Sequence, residues 1–422
     1  MRILIYGINY APELVGIGKY TGEMAEWLSA QGHSVRVVTA PPYYPAWKLG
    51  DGYKPRRYSV ERNGDIEIHR CPLYVPARAS AIRRIFHLLS FALTSFPVAL
   101  WQALTWRPDV VFTVAPAFFC APGGWLAARA GGSSAWLHIQ DLELDAAFDL
   151  GLFRALPIRG LATWIEARIL KRFDSVSTIS RPMLNQLRDK GVQAHRLELF
   201  PNWVDTRQIF PTGERSIRAE LGVPDESVVA LYSGNMGEKQ GLEIVIDVAR
   251  NLRAHENILF VLCGDGAARA NLEKAATGLS NVIFRPLQPA ERLNELLNSA
   301  DIHLVPQRAG AADLVMPSKL TAILACGGAV VTTATHWTEV ARAVKEAGGC
   351  VCPPGDAEQL TNAVRKLACD AEARKAMGIS AREYALNRLD KGMILGQLLA
   401  QLEPLQKQQD LGEVENAHSL QQ

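Results

Sequence analysis

Short runs with no polar face recur along this chain, each followed by a stretch with helical spacing, and that alternation leaves few folds open. Arg2–Ile8, Val110–Val114, Val228–Ser233 and Ile258–Cys263 are apolar at nearly every position. Strands of that kind are covered on both faces, as in parallel sheets, whereas a half-exposed strand alternates apolar and polar residues. Further short runs fall at Val35–Thr39, Ile66–Arg70, Ala135–Ile139, Ser175–Ile179 and Leu197–Phe200, then at Val282–Phe284, Ile302–Val305 and Val330–Thr332. Between them lie helix-patterned segments such as Ile17–Gln31, closed by Gly32, and Phe119–Ala130, Leu161–Arg172 and Met183–Lys190. Right-handed crossovers make such strands parallel. The expectation is an α/β chain of doubly wound sheets.

The alternation runs twice. At 422 residues the chain is too long for one core, and Pro201-Asn202-Trp203-Val204-Asp205 interrupts the pattern. We expect a Rossmann-like domain over 1–205, a second over 206–385, a C-terminal helix over 386–405 returning to the first domain, and a polar, disordered tail over 406–422. Two facing α/β domains imply a ligand cleft lined by strand carboxyl ends from both.

A formal net charge of +2 excludes nucleic acid as the main partner, since duplex binding normally leaves a strong basic excess. Seven scattered cysteines read as small buried hydrophobes in a reducing compartment, and Cys350-Val351-Cys352 lacks a second ligand pair, so no metal site is expected. MRILIYGINYAPE has no signal-peptide pattern, which predicts a cytoplasmic protein.

Three stretches point to ligands. Val228–Ala249 reads as a strand, a glycine loop (Gly234 to Gly241, carrying Asn235, Lys239 and Gln240) and a helix N-terminus, the parts of an anion site, with a plain strand–helix connection as the alternative. Gly16-Ile17-Gly18 begins the first helix. The loop before it is too long for a dinucleotide fingerprint and Thr21 stands where a third glycine belongs, so close backbone approach to a ligand is the expected role. Pro41–Tyr58, rich in proline and aromatics, is either a sugar-stacking or a packed surface loop.

Arg78–Trp106 is the most unusual segment. Leu88–Trp106 holds no charged residue and follows Arg78, Arg83, Arg84 and His87. A spanning helix, a buried helical pair and a membrane-surface element all fit its length. The basic flank with Phe86, Phe91, Phe96, Trp101 and Trp106 favours the interfacial case.

An ordered set of motifs resembles the retaining family-four glycosyltransferases of the GT-B fold. Gly16-Ile17-Gly18 and Leu28-Ser-Ala-Gln-Gly32-His33-Ser-Val35-Arg-Val-Val-Thr39 resemble their N-terminal half. Pro201–Asp205, Tyr232–Gly237, Phe260–Gly266, Asn281–Phe284 and Ser299–Pro306 resemble their nucleotide-sugar half. Pro317-Ser318-Lys319-Leu320 and the sequence around Asp141 are similar to the branch acting on lipid-linked bacterial surface sugars.

The resemblance implies an acceptor-binding first domain and a second domain that binds a nucleotide sugar, GDP-fucose, with no cofactor or metal required. It implies an undecaprenyl-type lipid-linked acceptor in exopolysaccharide synthesis, and a cytoplasmic protein peripheral at the inner membrane face. The family's Arg–Lys pair for the diphosphate is replaced by Asn235 and Gln240, which leaves Lys239, Arg308 and Lys319 as candidate charges. Its glutamate pair is replaced by Leu314 and Ala322, with Asp313 beside the first. Donor contacts are thus expected from Gly234, Asn235, Lys239, Gln240, Gly264, Asp313 and Ser318. Catalytic roles are expected for Asp141, Lys319 and Arg308, and acceptor-side roles for Gly16, Gly18, His138 and Glu143, with a core position as the alternative for His138. Two alternatives stay open: a GT-B sugar-nucleotide epimerase, and a degenerate transferase serving as a membrane-bound assembly partner.

Overall fold

The computed structural model describes residues 1–13, 16–76, 81–115, 118–141, 159–213, 215, 217–308 and 316–404, with the backbone alone at 81, 118, 159 and 239. The chain forms two compact units, Met1–Pro201 with the chain from Leu395 on, and Asn202–Ile394.

Unit one is built on eight strands: β1 (Arg2–Gly7), β2 (Ser34–Thr39), β3 (Ser59–Asn63), β4 (Ile66–Arg70), β5 (Val110–Ala115), β6 (Ser134–Ile139), β7 (Ser175–Thr178) and β8 (Leu197–Leu199). Their order is β3-β4-β2-β1-β5-β6-β7-β8, all parallel except β3, which runs antiparallel to β4. The apolar runs read from sequence are the central strands: β1, β5 and β6 are buried from Ile3, Val110 and Ser134 onward. The edge strand β3 (SVERN) went unread because it is polar and mostly exposed. Chain order reverses between β1 and β5, the switch point where open α/β sheets bind ligands beyond the strand carboxyl ends. The first helix, α1 (Gly16–Ala30), opens at that edge. A helix over 391–404 returns to this unit, where Gln401 Nε2 donates to Glu198 Oε2 at 2.8 Å.

The long apolar segment is one helix, α2 (Ala81–Trp106), running through Pro97. It is not a helical pair. Its inner face packs on the sheet and on α3 (Ala121–Gly131): Phe91 lies 6.1 Å from the Tyr6 ring, and Ser95 Oγ meets Tyr6 Oη at 2.9 Å. Gln102 Nε2 lies 2.9 Å from His69 Nε2 on β4. The outer face exposes Ile82, Phe86, Leu93, Trp101 and Leu104, which recur at helical spacing. Among the described residues, the stretch Ile82–Trp106 is long and apolar enough to cross a membrane. Its inner face packs along the sheet as a layer of unit one.

Unit two has six parallel strands: β9 (Val228–Ser233), β10 (Ile258–Cys263), β11 (Val282–Arg285), β12 (Ile302–Pro306), β13 (Val330–Thr333) and β14 (Cys350–Cys352). Their order, β11-β10-β9-β12-β13-β14, is that of a dinucleotide-binding Rossmann sheet, with its switch point between β9 and β12. Cys350 and Cys352 therefore sit on an edge strand, and the thiol of Cys352 is buried. Val204 N donates to Leu389 O at 2.8 Å, which ties the start of unit two to its end. This places the unit boundary just before the expected junction at 205.

Candidate functional site

The glycine loop after β9 sits at the switch point of unit two. Two loops meet there backbone to backbone. Gly234 N donates to Cys263 O at 2.9 Å, Met236 N to Asp265 O at 2.7 Å, and Ala268 N to Met236 O at 2.9 Å. Contact this close demands glycine at 264: a Cβ there would lie 1.9 Å from Gly234 O, and its φ of +158° is one that side chains rarely adopt. The loop then makes one 3-10 turn, Glu238–Gln240, and Gly241 turns left-handed before the helix Glu243–Asn251. No side chain caps that helix, so its first turn presents the positive end of its dipole.

Two cations reach this loop from elsewhere in the unit. Lys319 lies in the first turn of the helix Ser318–Ala325. Its ammonium is 3.4 Å from where a Gly234 Cβ would stand. It donates to Tyr232 Oη at 2.8 Å and lies 4.3 Å from the centre of that ring. Tyr232 Oη in turn donates to Asn235 O at 2.5 Å. Burial holds the Tyr232 hydroxyl protonated, well above the usual phenol range. Arg308 packs its Cγ 2.6 Å from the place a Gly241 Cβ would occupy. Its guanidinium is paired with Glu243 at 2.7 Å, in a half-exposed ion pair.

Of the residues expected on the donor side, Gly234, Asn235, Gln240, Gly264, Arg308 and Lys319 are thus gathered around one loop. Ser318 is exposed on the same helix as Lys319. Asp313 and Leu314 lie outside the described residues, as does the side chain of Lys239. Ala322 is packed in the unit-two core with Leu320, Val340 and Leu389. Tyr232 was missed because a tyrosine inside an apolar strand looks like core.

Unit one corrects two expectations. His138 is not an acceptor-side group. It lies wholly inside the sheet, 4.9 Å from the Phe200 ring, with Nδ1 2.9 Å from Ser177 Oγ on the neighbouring strand. Burial lowers its pKa to about 3. Gly18 does not leave room for a ligand either, because a Cβ there would meet Glu13 Oε2 at 2.5 Å. Gly16 is required by its φ of +63°. Asp141 is exposed just beyond the carboxyl end of β6, and Glu143 lies outside the described residues.

The group that fills the Gly18 gap is a buried carboxylate the sequence reading passed over. Glu13 Oε1 accepts from the backbone N–H of Tyr43 and Tyr44, each at 3.0 Å, and Oε2 from Asn9 Nδ2 at 2.9 Å. Burial raises its pKa against those donors. Arg70 braces the same edge, donating to Ala11 O at 2.6 Å and Ala40 O at 3.0 Å. An acid in an otherwise apolar loop was the available signal for Glu13.

Two Rossmann-type sheets, the second with a phosphate-type loop and a lysine over it, define a GT-B glycosyltransferase. The sequence matches "Glycosyl transferase 4-like domain" over residues 15–203 and "Glycosyl transferases group 1" over residues 213–384, and the chain belongs to that family. It is 46% identical over 409 residues to WcaI of Escherichia coli K12, provisionally named a colanic acid biosynthesis glycosyl transferase, covering 94% of this chain and 99% of WcaI. Its fold is similar to that of a sucrose-phosphate synthase from Thermosynechococcus elongatus (TM-score 0.72, 18% identity, 96% of this chain and 99% of that one). It also resembles HepE of Anabaena, solved with UDP and glucose (TM-score 0.64, 15% identity, 96% and 99%).

Proposed function

We propose that this glycosyltransferase moves a sugar, fucose from GDP-fucose, with retention, to a lipid-linked saccharide of undecaprenyl type during assembly of a colanic acid-like exopolysaccharide. The carrying observation is Lys319 held over the glycine loop by Tyr232. In such a transfer the bond from the sugar's C1 to the donor's β-phosphate oxygen breaks, and a bond from C1 to an acceptor hydroxyl oxygen forms. Charge grows on the departing diphosphate. A fixed ammonium and a helix N-terminus aimed at that point stabilise the transition state more than the ground state. Lys319 supplies what Asn235 and Gln240 cannot, and cationic side chains take the role a metal would otherwise fill. Asp141, at the carboxyl edge of unit one, orients the acceptor hydroxyl and takes its proton.

A membrane-borne acceptor gives the outer face of α2 a purpose. Its exposed apolar residues, with Arg83 and Arg84 exposed at the helix start, suit a peripheral site at the inner membrane face. A sugar-nucleotide epimerase would leave that face without a role. The name of WcaI supports the colanic acid assignment and mentions no donor sugar, so fucose is the part of the reading that the donor panel decides.

The test is a panel of nucleotide sugars with a membrane-extracted lipid-linked acceptor, scored by product mass. A deoxyhexose increment from GDP-fucose is expected, and a hexose increment refutes fucosyl transfer. If calorimetry detects neither GDP nor UDP binding, transfer and epimerisation are both excluded, leaving the assembly-partner reading.

A further inference from the structure

Unit one has a cavity of about 660 Å³. Tyr53, Lys54, Arg57, Tyr58, Asp51 and Glu61 line it. Its position is set by strand register. Ser59 of β3 and Thr39 of β2 both pair with Arg70, the last residue of β4. The cavity therefore opens at the carboxyl edge of the parallel strands, the edge that also carries Glu13, α1 and Asp141. It also borders α2, because Tyr58 Oη donates to Thr94 O at 3.0 Å. The residue before Thr94 is Leu93, 74% exposed on the outer face. The cavity thus occupies the corner between an apolar surface and the ligand edge of the sheet.

Its chemistry is that of an anion site. Two cations of the stretch Lys54-Pro55-Arg56-Arg57 line it, Lys54 and Arg57. Among the described residues, no carboxylate is paired with Lys54 or Arg57. Glu61 is neutralised by Arg70 Nε at 3.1 Å and accepts from Tyr53 Oη at 3.4 Å, which leaves Asp51 as the opposing charge. The loop is also preorganised. Gly50 N donates to Pro42 O at 2.8 Å, Tyr53 N to Gly50 O at 3.2 Å, and Leu73 N to Pro55 O at 3.1 Å.

We propose that this cavity holds the diphosphate through which the acceptor saccharide is attached to its lipid. The inference rests on the lipid-linked acceptor proposed above. A lipid seated against the outer face of α2 would bring its phosphates to Lys54 and Arg57. The first sugar would then lie against the Tyr53 and Tyr58 rings and point along the carboxyl edge. The guanidinium fork of Arg57 suits two phosphate oxygens, and the volume accommodates a diphosphate with a sugar. An anionic phospholipid headgroup shares the phosphate-ester chemistry and is the other source to be distinguished.

The experiment uses the full chain and its Lys54→Ala/Arg57→Ala variant, with farnesyl diphosphate as a soluble probe in calorimetry. Co-sedimentation with phosphatidylcholine vesicles, with and without phosphatidylglycerol, forms the second arm. Farnesyl diphosphate affinity is expected to fall about tenfold or more in the double variant and by less in Arg57→Lys, which keeps both charges but loses the fork. Binding to pure phosphatidylcholine is expected to be unchanged. Equal farnesyl diphosphate affinity in parent and double variant overturns the proposal. If only the phosphatidylglycerol-dependent binding falls, the site takes headgroups and the acceptor assignment is overturned. GDP binding in the same samples reports on unit two. Its absence from the parent would sink the transferase reading without touching the cavity, and its retention in the variants shows that they fold.

Discussion

The Lys319 ammonium lies 2.8 Å from the phenolic oxygen of Tyr232, whose own proton goes to the carbonyl of Asn235. The donor-side lysine is thus aimed by a side chain from the strand that starts the glycine loop. Lys319→Ala should lower kcat/KM about 100-fold, the scale of losing one preorganised donor to a developing anion. Tyr232→Phe keeps the ammonium and removes its aim, so its loss should be smaller, about tenfold, and mainly in kcat. Lys239→Ala should cost less than Lys319→Ala. Steady-state kinetics with a fixed acceptor separates these cases, and equal losses at 239 and 319 would return the charge to the loop.

Arg308 presents the opposite case. Its pair with Glu243 is half-exposed, and such pairs contribute about 0–1 kcal/mol. An incoming diphosphate can recruit Arg308 at little cost. Glu243→Gln should therefore raise GDP affinity, about threefold at low ionic strength, with the gain fading as salt is added. Calorimetry at two salt concentrations reads it directly. Unchanged affinity at both would mean that Arg308 does not reach the nucleotide.

The two faces of α2 call for different substitutions. Phe91 is 0% exposed against Tyr6, while Leu93 and Trp101 are 74% and 55% exposed. Phe91→Ser should cost about 3–5 kcal/mol of stability and say nothing about lipid. Leu93→Ser and Trp101→Ser should change stability by about 0.5 kcal/mol or less and together weaken binding to neutral vesicles. Vesicle binding unaffected by that pair would remove the membrane role proposed for α2.

Much of this was legible because buried parallel strands carry their signature locally. β1, β5, β9 and β10 could be read one at a time, and their alternation with helices gave the doubly wound sheets. Gly234 and Gly264 were legible as loop residues, but their reason was not: it is the contact between two loops, separated in sequence by the helix Glu243–Asn251 and β10. The same holds for Tyr232 and Glu13, whose roles depend on partners far along the chain, Lys319 and Tyr43–Tyr44. His138 misled for a related reason. A histidine near a strand's carboxyl end fits both a ligand edge and a sheet interior, and only the Ser177 and Phe200 contacts decide between them.

That placement of His138 gives unit one a definite acid response. Ser177 Oγ accepts from Trp136 Nε1 at 2.8 Å and lies 2.9 Å from His138 Nδ1. Protonating the ring places a charge inside the sheet. The pKa falls from 6.5 to about 3 through burial. Between those values the unfolded chain binds a proton at this site and the folded chain does not, so stability rises with pH. The contribution is complete above about pH 6.5 and is lost as pH falls toward 3. Each pH unit inside that window costs on the order of 1 kcal/mol. His138→Gln, neutral throughout, should be less stable than the parent at pH 7.5 but show a flatter acid limb. Hydrogen exchange of the β6 and β7 amides between pH 7.5 and 5 measures both. Parallel acid limbs in parent and variant would show that another group governs the response.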